Sequence, residues 1–100
     1  MIALKTVKNI YFVGIKGVAM AALAIYCKER DMKVAGCDTE EVFPTDAELK
    51  NAKISVDIGF EPSFLKKNTD LVIYTGAHEG RDNPVVRRAR ELEIETIPHG

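Results

Sequence analysis

Apolar runs and helical periods alternate along this chain. Ile10-Tyr11-Phe12-Val13 is a continuous apolar run closed by Gly14, and it predicts a buried strand over Asn9–Gly14. After Ile15-Lys16-Gly17 comes an alanine-rich segment free of Gly and Pro. Met20, Leu23, Ala24 and Cys27 fall there at helical spacing, which predicts a helix over Val18–Asp31 with its charges held back to the last turn. A second strand is expected at Lys33–Cys37, closing at Asp38. Beyond the polar loop Thr39–Pro44, Thr45-Asp46-Ala47-Glu48 has the pattern of a capping box, with Thr45 capping a short helix and Glu48 reaching back. Ile54, Val56 and Ile58 alternate with Ser55 and Asp57, as in a half-exposed strand. Gly59-Phe60-Glu61-Pro62 breaks that strand, and a helical turn is expected near Ser63–Lys66.

Leu71-Val72-Ile73-Tyr74, within a strand over Asp70–Thr75, is continuous in the manner of a central parallel strand. The segment Gly76–Asp82 reads as a loop, and Asn83-Pro84 as an N-cap followed by a first helical position. Val85, Val86, Ala89 and Leu92 give the last helix one apolar face, and a short strand is expected at Glu95–Ile97, stopping at Pro98. Strands alternating with helices imply right-handed crossovers and a parallel sheet. The expected fold is therefore α/β and Rossmann-like: an open five-stranded parallel sheet, order 3-2-1-4-5, with helices on both faces and a switch point between strands one and four.

Composition narrows the function. One hundred residues make a single domain. A net charge of −1 supplies no basic face for nucleic acid. Cys27 and Cys37 are too few and too far apart for a zinc site or a redox pair, and read as free thiols in a reducing cytosol. The N-terminus lacks the pattern of a signal peptide, and no apolar run is long enough to span a membrane, so the expected location is cytoplasmic.

The chemistry is expected at the carboxyl ends of the strands. A helix that starts at a glycine turn aims unpaired N–H groups and partial positive charge at whatever lies above the strand, commonly a phosphate. Three segments converge there: Gly14–Ala19, Asp38-Thr39, and the loop Thr75–Asn83. The plainer alternatives are a turn that merely needs Gly14 and Gly17, a solvated Asp38, and a surface-loop His78. Against the dinucleotide fingerprint G-x-G-x-x-G, Gly14 fits the first position and Ala19 is an accepted third, but Lys16 stands at the second, where glycine admits a pyrophosphate. The Lys16 ammonium could assist a phosphate, yet the residue counts against ordinary NAD binding. Arg81 is a further candidate anion partner, and Arg87-Arg88-Ala89-Arg90 reads as the wet face of the last helix. No nucleophile–base pair and no ATP-binding G-x-x-x-x-G-K-[ST] loop is present.

GIKGVAMAALA, VAGCD and DLVIYTGAHEGRDNPVVRRARELEI together resemble the N-terminal domain of the Mur ligases of peptidoglycan synthesis, most closely the alanine-adding and murein peptide ligase branches. Gly14, Gly17 and Met20 match the family's turn, Gly36 and Asp38 its strand-two end, and Ala77 with Asp82-Asn83-Pro84 its loop. Lys16 and Ala19 replace two glycines, Cys37 the usual serine, and Phe60 a frequent histidine. The resemblance implies a domain that binds UDP-N-acetylmuramate. Its pyrophosphate would lie over Ile15, Lys16, Gly17, Val18 and Ala19, its uridine near Asp38, Thr39 and Phe60, and its sugar near Thr75, Gly76, Ala77, His78 and Asn83. It also implies that ATP and magnesium belong to a central domain beyond these residues, so that this domain alone has no cofactor and no activity and partners the other domains of one ligase. Two other readings are an NAD(P)-binding domain of an oxidoreductase and a free-standing nucleotide sensor.

Overall fold

The computed structural model describes residues 6–99. Five parallel strands, β1 (Asn9–Val13), β2 (Lys33–Asp38), β3 (Ser55–Ile58), β4 (Leu71–Tyr74) and β5 (Glu95–Pro98), form one sheet in the order β3-β2-β1-β4-β5. The helices are α1 (Val18–Glu29), α2 (Thr45–Asn51) and α3 (Pro84–Glu91), with 3-10 turns at Pro62–Phe64 and Gly80–Asp82. The expected strand order is the observed one, and the switch point lies between β1 and β4.

Alternate residues of each strand go to opposite faces, and two cores result. Ile10, Phe12, Leu71 and Ile73 pack with Met20, Ala21, Ala24 and Leu49, so α1 and α2 cover one face. Tyr11, Val13, Cys37 and Val72 pack with Val85, Val86, Ala89 and Leu65 on the other, under α3 and the turn after β3. Gly36 permits the tight join of β2 to β1: a Cβ there would lie 2.5 Å from the Phe12 carbonyl oxygen and 2.7 Å from Ile15 Cδ1.

Two elements depart from expectation. α2 is not held by a capping box. Pro44 occupies the N-cap position without a side-chain bond, Phe43 N–H donates to Asp46 Oδ2 at 2.8 Å, and Thr45 turns elsewhere. β5 also runs through Pro98, which pairs with Tyr74. Proline is tolerated because β5 is an edge strand, where a missing N–H leaves no ladder bond unmade; His99 N–H then donates to the Tyr74 carbonyl at 2.8 Å.

The second core contains a titratable cluster. Tyr11 Oη donates to Asp57 Oδ2 at 2.8 Å. Burial pushes the Cys37 thiol up to about 12 and Tyr11 above the usual phenol range. A raised thiol pKa means that the folded state keeps a proton which the unfolded chain releases. The associated stability is intact below about pH 9 and is lost as pH rises toward 12, with a limiting slope of about 1.4 kcal/mol per pH unit for one proton. Denaturant melts from pH 8 to 11 are expected to show this decline, shallower in Cys37→Ala. Identical slopes for parent and variant would mean that Cys37 does not carry it.

Candidate functional site

The glycine turn between β1 and α1 is built almost entirely from backbone bonds to the end of β2. Gly14 N–H and Ile15 N–H both donate to the Cys37 carbonyl, at 2.9 and 3.2 Å. Lys16 N–H donates to Asp38 Oδ2 at 2.8 Å, while Thr39 N–H donates to Asp38 Oδ1 at 2.7 Å. Asp38 is 4% exposed, so its carboxylate clamps the turn to its own strand end. Gly14 lies at φ +86, a left-handed conformation that favours glycine.

The turn delivers α1 with a bare N-terminus. Gly17 is its N-cap, no side chain caps it, and its first turn holds no acidic residue. The first helical bond is Ala21 N–H to the Gly17 carbonyl at 2.8 Å. The N–H groups of Val18, Ala19 and Met20 therefore have no intrahelical acceptor and carry the positive end of the helix dipole. Gly17, Val18 and Ala19 are exposed, with Val18 at 82%, so this end opens outward. Ile15, fully buried, contributes only backbone.

The third segment closes on the same place. Thr75 N–H donates to the Val13 carbonyl, which sets the Thr75 side chain beside Gly14. His78, Glu79 and Gly80 are all left-handed, at φ 55, 72 and 51. Two consecutive non-glycine residues in that region store strain, a feature that clusters at ligand sites. The bend brings the His78 ring to 4.9 Å from the Phe60 ring and its Nε2 to 3.5 Å from Asp38 Oδ1. Asn83 holds the loop from below: its Nδ2 donates to the His78 carbonyl at 2.9 Å while its Oδ1 accepts from Val85 N–H at 2.9 Å. It is an N-cap as expected, and at 1% exposure it works inside the protein. Gly76 and Ala77 are exposed on the loop crest, and Arg81 is exposed in the following turn.

The structure thus brings Gly14–Ala19, Asp38, Thr39, Phe60 and Thr75–His78 together at the carboxyl ends of β1, β2 and β4, where they border one candidate cleft beside the switch point. A groove of about 610 Å³ bordered by Tyr11, Ala35, Asp57 and Phe64 lies elsewhere on the sheet and shares no lining residue with it.

A family profile described as "Mur ligase family, catalytic domain" matches residues 9–99. The chain belongs to the Mur ligase family. The UDP-N-acetylmuramate–L-alanine ligase of Lactobacillus johnsonii is 38% identical over 88 residues, a match covering 88% of this chain and 20% of the relative. Among solved structures, the UDP-N-acetylmuramate–alanine ligase of Thermotoga maritima superposes with a TM-score of 0.79 at 31% identity, over 90% of this chain and 20% of that one. The UDP-N-acetylmuramate:L-alanyl-γ-D-glutamyl-meso-diaminopimelate ligase of Neisseria meningitides gives 0.78 at 30% identity, over 92% and 28%. This Mur ligase chain therefore spans about a fifth of the length of the relative from Lactobacillus johnsonii.

Sequence reasoning missed one layer of this Mur ligase site. The Lys16 side chain does not project into the cleft as a free cation. It is buried, Nζ donating to the Glu41 carbonyl at 2.7 Å and lying 3.2 Å from Asp46 Oδ1. Thr45 Oγ1 donates to the Lys16 carbonyl at 2.6 Å. Thr45 and Asp46 carried no signal beyond their local helix-start pattern, because the partner of both lies about thirty residues away.

Proposed function

We propose that this chain is the UDP-sugar-binding domain of an ATP-dependent, amide-forming ligase of peptidoglycan synthesis or recycling, and that it binds UDP-N-acetylmuramate. The observation that carries the reading is the uncapped, exposed N-terminus of α1 at the switch point of a Mur ligase fold. Backbone N–H groups there bind a diphosphate without needing a cationic side chain. The diphosphate lies over Gly17–Ala19. The uridine lies toward Thr39 and Phe60, where an aromatic ring can stack, and the sugar lies toward Thr75–His78. Asp38 and Asn83 shape the two walls by holding the turn and the loop. The names of the relatives, which specify UDP-N-acetylmuramate, support this ligand class.

ATP and magnesium are assigned to a part of the ligase outside these residues, in keeping with the missing phosphate-binding lysine loop. A nicotinamide dinucleotide is a poorer fit. The acid that ends strand two in such domains takes a ribose hydroxyl, whereas both Asp38 oxygens here accept backbone N–H groups.

The test is a calorimetric and NMR titration with UDP-N-acetylmuramate, with NAD and NADP as controls. Saturable binding of the UDP-sugar, with amide shifts at Gly17, Thr39 and His78, is the expected outcome. Saturation by NAD or NADP alone would replace this reading with a dinucleotide-binding one.

A further inference from the structure

Lys16 occupies the centre of the turn expected to hold phosphate, yet its charge points into the protein. Its side chain is 5% exposed. Among the described residues its polar connections are internal: N–H to Asp38, carbonyl from Thr45, and Nζ to the Glu41 carbonyl and the Asp46 carboxylate. The Phe43 ring lies 6.0 Å from Nζ, at the limit of a cation–π contact. These partners all belong to one segment, from the end of β2 to the start of α2. That segment begins at Asp38, above the carboxyl end of the sheet, and so borders the cleft.

An exposed loop carrying Glu40, Glu41 and Val42, the last 83% exposed, has little apolar burial of its own. Such loops sample many conformations unless pinned. Here the Lys16 ammonium reaches the loop from the glycine turn and bonds it at Glu41 and Asp46, beside the Thr45 bond to the Lys16 carbonyl. The ammonium is buried while the Asp46 carboxylate is 31% exposed, so losing the ammonium frees the loop without stranding a charge, since the carboxylate can turn to water.

We infer that Lys16 is a positioning residue: it braces the 39–46 segment as the nucleoside-side wall of the cleft and is not itself a phosphate ligand. The inference rests on the UDP-sugar reading for its ligand, while the brace itself is a property of the free protein. A phosphate-binding lysine and a bracing lysine respond in opposite ways to the loss of Asp46. Freeing a phosphate ligand from a competing carboxylate strengthens anion binding; loosening a brace does not.

The experiment compares the parent with Lys16→Met and Asp46→Asn, using inorganic pyrophosphate and UDP-N-acetylmuramate as calorimetric probes and amide hydrogen exchange on the free proteins. Asparagine retains an oxygen for Phe43 N–H and turns its Nδ2 donor toward Nζ, so Asp46→Asn breaks the ion pair while keeping the local turn bond. The brace predicts exchange of the hydrogen-bonded Phe43 and Asp46 amides at least tenfold faster in Lys16→Met and measurably faster at residue 46 in Asp46→Asn. It also predicts that Lys16→Met loses about tenfold in UDP-sugar affinity, equally at 50 and 500 mM NaCl, with pyrophosphate affinity within about twofold of the parent, since a lost direct charge contact would be screened by salt. Tighter pyrophosphate binding by Asp46→Asn, or equal losses for both probes in Lys16→Met, would make Lys16 a phosphate ligand and overturn the inference. Should Lys16→Met fail to fold, Asp46→Asn decides alone. A parent that binds neither probe removes the UDP-sugar reading, and the exchange rates still judge the brace: unchanged protection of the Phe43 and Asp46 amides in Lys16→Met would refute it.

Discussion

Gly14→Ala is expected to lower the melting temperature of this domain by about 15 °C, the largest stability effect of any change at the cleft. Gly14 stands at φ +86, and a Cβ built there would clash with Thr75 Cγ2 and lie 3.2 Å from Thr75 Cβ. The left-handed backbone costs an L-residue about 1–2 kcal/mol, and forcing a methyl group into a filled site costs about 1–3 kcal/mol more. At about 4–8 °C per kcal/mol for a domain of this size, the lower half of that sum, about 2–3 kcal/mol, corresponds to the stated shift. Thermal melts followed by circular dichroism measure it directly. The steric share belongs to one methyl group, so adding Thr75→Ser to Gly14→Ala should recover about half of the loss. If the double variant melts with the single one, backbone strain alone accounts for the effect.

Gly17→Val, three residues further on, is expected to do the reverse: a melting temperature within a few degrees of the parent and a loss of UDP-sugar affinity greater than a hundredfold. Gly17 has φ −60 and ψ 147, an extended conformation open to any residue. A Cβ there would meet only the Gly14 carbonyl oxygen at 3.6 Å and Met20 at 3.7 and 3.8 Å, which is ordinary contact. The fold therefore has no steric need of glycine at this position, and the opening it leaves lies above the bare N–H groups of α1. A phosphate oxygen must come to about 2.9 Å of those groups, and a branched side chain at the N-cap keeps it away. Calorimetry on the folded variant is the measurement. Parental affinity would show that the turn does not hold the phosphate.

The two glycines look alike in the sequence, and their difference marks how far local reading extends. Strands and helices were legible because burial imposes a period within each segment: the run Ile10–Val13, the alternation of Ile54, Val56 and Ile58, the helical spacing of Val85, Val86 and Ala89. The Asn83 cap was legible because its acceptor bond closes within two residues, on Val85 N–H. Thr45 misled for a related reason. Its capping pattern is local, but the carbonyl of Lys16 competes for its hydroxyl from 29 residues away. Lys16 itself read as a candidate anion partner because nothing nearby in sequence neutralises it; its carboxylate arrives only when α2 packs beside the glycine turn.

By itself, then, the sequence determined the parallel order of the five strands, the glycine turn at the switch point, and the likeness to the Mur ligases. The strands and the turn follow from patterns that a short window contains, the strand order from crossover handedness, which every L-chain shares, and the likeness from three motifs taken together along the chain. Only the tertiary structure decided which side chains face one another. The pairs Asp38 with Lys16 N–H, His78 with Phe60, and Lys16 with Asp46 join segments more than fifteen residues apart. Asp38 and the Lys16 ammonium are drawn to their partners by the need of buried donors and acceptors for partners, a need that sets in only after the sheet has closed around them.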